Sequence, residues 1–366
     1  MTNPVTGRAE ITLKSETPIS RKFIVDSDDQ GVISNQRKTA VVGENEDVTF
    51  EISFEIPRSW AQNYSTNGFW FTMNDTLSTR LTLTPGSEKI MVGDAAQPSP
   101  DDREWSTFTD LYDAPKVETT KHPDNKTTSL RWDFGEEGQD SDENKANLTL
   151  AGKWVKIYYR AHLNGRAEVA HSGNPNAFSV TYQHDPSNPS GGEKTPVDSA
   201  LVFTLGITVK KIDGKSNKTL AGAKFQILDE NEKPLTFEGG SHDIYDITPQ
   251  GKTTEVTTSA TGTVQFQGLK EGTYRLRETQ APAGYNKLTS DVIIKLTATT
   301  KGTSMTYDVS ATGTASVEKD SSVIDVKNFK GFLPRTGSTG ITMITAAGFL
   351  LLAGGLLWLV RQRRRA

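Results

Sequence analysis

Strand periodicity runs through most of the chain. Val48, Phe50, Ile52, Phe54 and Ile56 alternate with polar neighbours and stop at Pro57, which predicts a strand with one buried face. Val155, Ile157, Tyr159, Ala161 and Leu163 repeat the pattern. Such runs, separated by clusters of Gly, Pro, Asn and Asp, predict an all-β fold of two tandem antiparallel sandwiches. Helical periodicity is nearly absent before Ile341. The polar stretches 97–124 and 135–147 read as surface loops, and a Pro/Ser/Gly-rich stretch, 185–196, precedes the last strand of a first body. The junction is expected near Gly206. This divides the chain into a leader or remnant of a preceding domain (1–16), a first sandwich (17–205), a second sandwich (206–330) and a C-terminal segment (331–366).

That last segment has its own logic. The uncharged apolar run 341–360 is long enough to cross a bilayer core once as a helix, at roughly 1.5 Å per residue against about 30 Å of hydrocarbon. Arg361, Arg363, Arg364 and Arg365 would hold its end in the cytoplasm, with Trp358 at the interface and everything earlier outside. An ordinary single-pass anchor accounts for the helix and the arginines. It does not account for Leu333-Pro334-Arg335-Thr336-Gly337 just before them. The three parts in this order resemble the LPXTG cell-wall sorting signal of Gram-positive surface proteins. The resemblance implies that a sortase thiolate attacks the Thr336 carbonyl, releases Gly337 onward and passes the acyl group to an amine of peptidoglycan or of a neighbouring subunit. The chain is then a substrate, extracellular and wall-anchored, held by the membrane only before sorting.

Composition narrows the chemistry further. There is no cysteine in 366 residues, so disulfides and thiol catalysis are excluded, and any covalent staple must use other groups. The net charge of -4, with basic residues scattered outside the tail, argues against a nucleic-acid partner. The five histidines lack metal-ligand spacing, and no Gly-rich phosphate loop follows a strand; neither a metal nor another cofactor is expected. Residues 26–31 begin like a calcium loop, but Arg37 stands where the bidentate acid belongs, and a solvated turn is the simpler reading. The first residues lack the basic and apolar regions of a secretory signal, so the sequence is expected to begin inside a longer protein.

Side-chain parity in the second body singles out three polar residues. In Ile207-Thr208-Val209-Lys210-Lys211 the period of two puts Lys211 on the face of Ile207 and Val209. It sets Glu278 beside Tyr274 and Leu276, and Asn328 beside Ile324 and Val326. An amine, a carboxyl and a carboxamide are thus all directed inward, where an unsatisfied polar group costs about 1–3 kcal/mol. Burial disfavours the charged forms, and a neutral amine is a nucleophile. Lys211 could then attack the Asn328 carbonyl while Glu278 stabilises the oxyanion and shuttles the proton, with loss of ammonia. On parity alone a buried hydrogen-bonded network with no bond formed is the favoured reading.

The segments VKKID, LAGAKFQI, YRLRETQAPAGY and VKNFKGFLPRTG occur in that order across the whole second body. They resemble the prealbumin-like (CnaB or SpaA type) domain of Gram-positive pilins, with ETQAPAGY similar to its E-box. The resemblance implies an intramolecular isopeptide bond between Lys211 and Asn328 assisted by Glu278. The first body, through VVGENEDVTFEISFEIP, FTMNDTLSTRLTL, VKIYYRAHLNGRAEV and GNPNAFSVTYQHDP, resembles the fimbrial isopeptide-forming, CnaA-like domain of backbone pilins. There a strand aspartate assists a second bond, and Asp75, sharing an apolar face with Phe69, Phe71 and Met73, fits that role. The position after YRAHL gives Asn164 as the asparagine, although parity sets it opposite Ala161 and Leu163 and requires a bulge or strand end. Lys22 is favoured as the lysine over Lys38. YQHDP stands where the family usually has YSNNP.

A pilus shaft also needs an exposed acceptor lysine. Lys14, in Ile11-Thr12-Leu13-Lys14, occupies the corresponding place with most of the family's motif missing; a solvated leader lysine is the alternative. Two classes of function follow. One is a structural pilin whose sandwiches are locked by isopeptide bonds. The other is an adhesin, anchored directly to peptidoglycan, whose long loops bind a host or bacterial ligand. No enzyme activity on external substrates is indicated.

Overall fold

The computed structural model describes residues 18–27, 33–94, 109–111, 115–121, 127–165, 169, 172–240 and 243–331. Lys14, the LPRTG peptide, the apolar run 341–360 and the arginine tail lie outside the described residues. Among the described residues no helix is long and apolar enough to cross a membrane.

The described residues are all-β apart from short helical turns, and build two sandwiches, each with its own core. In the first, one sheet runs in the order Ile33–Arg37, Ile19–Ser27, Asp47–Glu55, Trp154–Leu163, Lys89–Gly93, Thr109–Asp110, with Leu81–Leu83 also pairing to Trp154–Leu163. The facing sheet runs Thr39–Val41, Asp198–Phe203, Asn174–Gln183, Phe71–Ser78, Thr127–Phe134, Glu118–Lys121, with Gly192–Lys194 beside Asn174–Gln183. Rows of alternate residues meet between them: Phe50, Ile52 and Phe54 with Val155, Ile157 and Tyr159 from one side, Phe71, Met73 and Leu77 with Phe178 and Val180 from the other. This is the period-two burial that alternating strands require when two sheets close over a core.

Two stretches read as loops carry structure. Within 97–124 lie strands Thr109–Asp110 and Glu118–Lys121, both polar edge strands with exposed residues that leave no hydrophobic signature. Within 135–147 lies the short helix Asp142–Ala146, whose N-cap Ser141 accepts a hydrogen bond from the Asn144 amide. Asn144 then holds the turn before it, through Glu136 and Gln139 carbonyls at 3.0 and 2.8 Å. Gly68, at φ +70°, passes so close that a Cβ there would lie 2.0 Å from the Asn144 carbonyl oxygen.

In the second sandwich one sheet runs Phe237–Gly239, Ile244–Ile247, Thr263–Leu269, Leu205–Asp213, Val323–Asn328, Ala315–Val317. The other runs Val256–Thr257, Lys224–Leu228, Gly272–Gln280, Val292–Lys301, Ser304–Ala311. Leu205–Asp213 is central and pairs in parallel with Val323–Asn328, which brings the beginning and the end of this body side by side.

The two bodies meet through a bonded joint. Thr204 alone separates strands Asp198–Phe203 and Leu205–Asp213, and its hydroxyl donates to the Leu269 carbonyl at 2.9 Å. The Glu44 amide donates to the Gly268 carbonyl, and the Asn45 carboxamide to the Thr248 hydroxyl. Lys270 pairs with Glu46 across the same joint at 3.0 Å.

Candidate functional site

Three inward-facing polar side chains meet in the core of the second sandwich. Lys211 lies on the face of Ile207 and Val209, Glu278 on that of Tyr274 and Leu276, and Asn328 on that of Ile324 and Val326; the three are 0, 2 and 1% exposed. Lys211 and Asn328 come from neighbouring parallel strands, whereas Glu278 reaches in from the opposing sheet. The Lys211 Nζ donates to the Asn328 Oδ1 and, at 2.9 Å, to the Val326 carbonyl. The Asn328 Nδ2 donates to both Glu278 oxygens, at 2.8 and 3.1 Å, and Glu278 Oε1 stands 3.7 Å from Nζ. The Leu288 amide donates to Oε2 at 2.8 Å and fixes the carboxyl. Burial brings the Lys211 amine down to about 8 against the pull of Glu278.

The segment after the Glu278 strand ties down the way out. Tyr285 donates to Asp213 at 2.7 Å and forms a bridge with Lys330, while the Asn286 amide donates to the Phe329 carbonyl. The chain leaving Asn328 is thereby pinned up to Lys330, a few residues ahead of Leu333.

A second cluster occupies the first sandwich. Lys22 continues the inward row with Ile24, and Asp75 sits between Met73 and Leu77 on Phe71–Ser78. Both are fully buried and form an ion pair. Lys22 also donates to the Tyr159 hydroxyl at 2.9 Å, and its Nζ lies 4.9 Å from the Phe50 ring centre and 5.3 Å from that of Tyr159. Burial brings the Lys22 amine down to about 8 and pushes the Asp75 carboxyl up, each against the pull of the other.

The asparagine of this cluster is Asn176, not Asn164. Asn164 stands past the end of Trp154–Leu163, where its Nδ2 donates to the Thr79 carbonyl at 2.8 Å and the Thr82 hydroxyl at 3.1 Å. Once that strand has ended, the residue is spent on holding the neighbouring turn. Asn176 is fully buried and extends the inward row Tyr182, Val180, Phe178. Phe178 faces Asp75 across the strand pair and Asn176 faces Leu77, so carboxyl and carboxamide lie diagonally on one sheet. The Asn176 Nδ2 donates to the Tyr159 hydroxyl at 2.6 Å; its Oδ1 is buried with no partner among the described residues. Strand parity turns Asn176 inward as it does Asn328, but Gly173, Asn174 and Pro175 before it have the composition of a turn. Lys38 lies apart, paired with Asp198 at 2.6 Å.

A third buried amine, Lys156, pairs with Glu51 at 3.4 Å on the other face of the same sheet. Gln36 and Tyr158 donate to that carboxyl. No asparagine joins it among the described contacts, so it has the form of an ion-pair network.

Comparison with known proteins agrees with this architecture. Residues 206–311 match the SpaA prealbumin-like fold domain, and residues 325–366 match the LPXTG cell wall anchor motif. A fimbrial subunit type 1 of Actinomyces viscosus is 27% identical over 256 residues, covering 61% of this chain and 44% of that protein. The trypsin-resistant surface T6 protein of Streptococcus pyogenes serotype M6 is 26% identical over 173 residues, covering 42% of this chain and 29% of its own length. The chain thus spans less than half the length of these curated relatives. The crystal structure of a group B streptococcus pilus 2b backbone protein superposes with a TM-score of 0.51 at 21% identity, covering 85% of this chain and 98% of the other. The chain is therefore an extracellular, cell-wall-anchored protein with an LPXTG motif, a SpaA prealbumin-like domain and the fold of Gram-positive pilus backbone proteins.

Proposed function

We propose that this chain is a structural pilin: a sortase substrate whose two sandwiches are each locked by a self-formed Lys–Asn isopeptide bond. The observation that carries the reading is the contact of the Lys211 amine with the Asn328 carboxamide, bridged by Glu278, in a core that excludes water. Neutral Lys211 attacks Asn328 Cγ. Glu278 takes the proton that Nζ gives up and delivers it to Nδ2, which leaves as ammonia. In the first sandwich Lys22 and Asn176 are the bonding pair and Asp75 the assisting acid. The LPRTG peptide is the acyl donor to a sortase, and peptidoglycan or an adjacent subunit supplies the accepting amine. Fimbrial relatives, the anchor motif and two buried trios without cysteine support the structural reading over an adhesin.

Intact mass of the purified ectodomain tests it. Two bonds lower the mass by about 34 Da, one ammonia each, and digestion should yield one branched peptide joining Lys211 to Asn328 and another joining Lys22 to Asn176. An unaltered mass would leave two hydrogen-bonded networks and no welded pilin.

A further inference from the structure

We propose that Tyr159 is a catalytic residue of the first-sandwich bond, relaying to the departing Asn176 nitrogen the proton that Lys22 gives up. The proposal rests on the reading of Lys22 and Asn176 as a bonding pair. Its basis is a difference between the two clusters of the same chain. In the second sandwich the Glu278 carboxyl touches the leaving nitrogen itself, accepting from Asn328 Nδ2 at 2.8 and 3.1 Å. In the first the acid is one methylene shorter, and Asp75 makes no hydrogen bond to Asn176 among the described residues. The Tyr159 hydroxyl fills the gap. It accepts from Lys22 Nζ at 2.9 Å and from Asn176 Nδ2 at 2.6 Å.

The proton balance requires such a link. Neutral Lys22 forms the Nζ–Cγ bond to Asn176 and loses one proton, while the Cγ–Nδ2 bond breaks and Nδ2 gains one to leave as ammonia. Tyr159 is placed to give its own proton to Nδ2 and to take the one that Nζ gives up across their 2.9 Å contact, while Asp75 holds the amine. In the ground state the amide nitrogen is planar and can only donate to the phenol. Once Cγ becomes tetrahedral, the nitrogen lone pair is free, and the same contact runs in the opposite direction. The ring is held for this by Phe50, stacked at 5.4 Å between centres, and by Trp132 at 5.9 Å. Burial holds the phenol well above its ordinary range, so it serves as a relay and not as a standing anion.

The test is cell-free synthesis of the ectodomain, in which every chain starts unbonded, with each branched peptide followed over time by mass spectrometry. Tyr159→Phe keeps the ring and removes the relay. The Lys22–Asn176 peptide should form at least about 100-fold more slowly, while the Lys211–Asn328 peptide in the same molecule forms at its normal rate and reports that the protein has folded. Asp75→Glu in the Tyr159→Phe background should recover part of the rate, because the longer acid reaches Asn176 directly. Equal rates for Tyr159→Phe and wild type would overturn the role of Tyr159 and leave the bond intact. Absence of the Lys22–Asn176 peptide from mature wild-type protein would overturn the bond itself. Should Tyr159→Phe not fold, incorporation of 3-fluorotyrosine, which makes the phenol more acidic, should change the ratio of first to second bond rates by about threefold or more. An unchanged ratio would refute the relay.

Discussion

Lys211 and Asn328 are neighbours that are two residues out of step. Across their parallel strands Lys211 faces Val326 and Asn328 faces Asp213, yet the lysine amine reaches the asparagine oxygen. The length of the lysine side chain spans the offset, which leaves Glu278 free to approach from the other sheet. Replacing that acid isolates its part. Glu278→Ala should leave the amine and carboxamide unjoined, and the ectodomain should fall short of its own sequence mass by about 17 Da, where wild type falls short by about 34 Da. The residues are 117 apart in sequence, so loss of the closed loop should destabilise the second sandwich by about 5 kcal/mol in the chain-entropy treatment, read as a lower urea midpoint. A variant that still falls short of its sequence mass by about 34 Da would remove Glu278 from the chemistry.

The two asparagines of the first sandwich should separate cleanly. Asn176→Ala should abolish the Lys22 branched peptide and halve the shortfall from sequence mass, from about 34 to about 17 Da. Asn164→Ala should leave both bonds in place and cost about 1 kcal/mol, the worth of its contacts to Thr79 and Thr82. Loss of a bond in Asn164→Ala would reverse the assignment.

Unbonded protein should respond to alkaline pH in a way that mature protein does not. Lys22 and Lys211 lose their protons near pH 8 in the fold, against 10.5 for an ordinary lysine. Between those values the unfolded chain holds more protons, so stability rises with pH across that window; below it the full cost of burying two ammonium groups remains. In a variant carrying Asn176→Ala and Asn328→Ala, the urea midpoint should climb from pH 8 to pH 10.5 relative to wild type, whose bonded nitrogens do not titrate. Parallel profiles would show that the amines are not held in this state.

The joint between the sandwiches should loosen as pH rises through the acid range. Burial, with Asp246 and Glu238 nearby, raises the Glu44 carboxyl from 4.5 to about 7. The fold therefore holds this proton more tightly than the unfolded chain, and the contribution present below pH 4.5 is lost as pH climbs to about 7. Glu44→Gln should flatten this part of the profile and raise the melting temperature at about pH 8 more than at about pH 5. Equal shifts at both values would place Glu44 outside the coupling.

Parity was decisive wherever a strand had a clean apolar row. Lys211, Glu278 and Asn328 each extend such a row by one step, and Asp75 interrupts one between Met73 and Leu77. Asn176 was hidden by its neighbours. Gly173-Asn174-Pro175-Asn176 has the composition of a turn, yet it is strand from Asn174 onward. Pro175 is tolerated because it lies just beyond the span paired with Phe71–Ser78. Tyr159 was legible as core but not as chemistry, because its hydroxyl gains meaning only when Lys22 from its own sheet and Asn176 from the other converge on it. The edge strands Thr109–Asp110 and Glu118–Lys121 carried no signal, since they bury nothing.

The single residue between the two sandwiches has a mechanical meaning. With Thr204 both backbone link and hydrogen-bond donor to Leu269, no slack chain exists in which a hinge could form, and tilting one body on the other must break several contacts at once. Bending of any filament built from this unit would therefore concentrate where one subunit meets the next, and the described pair of sandwiches would move as one stiff segment.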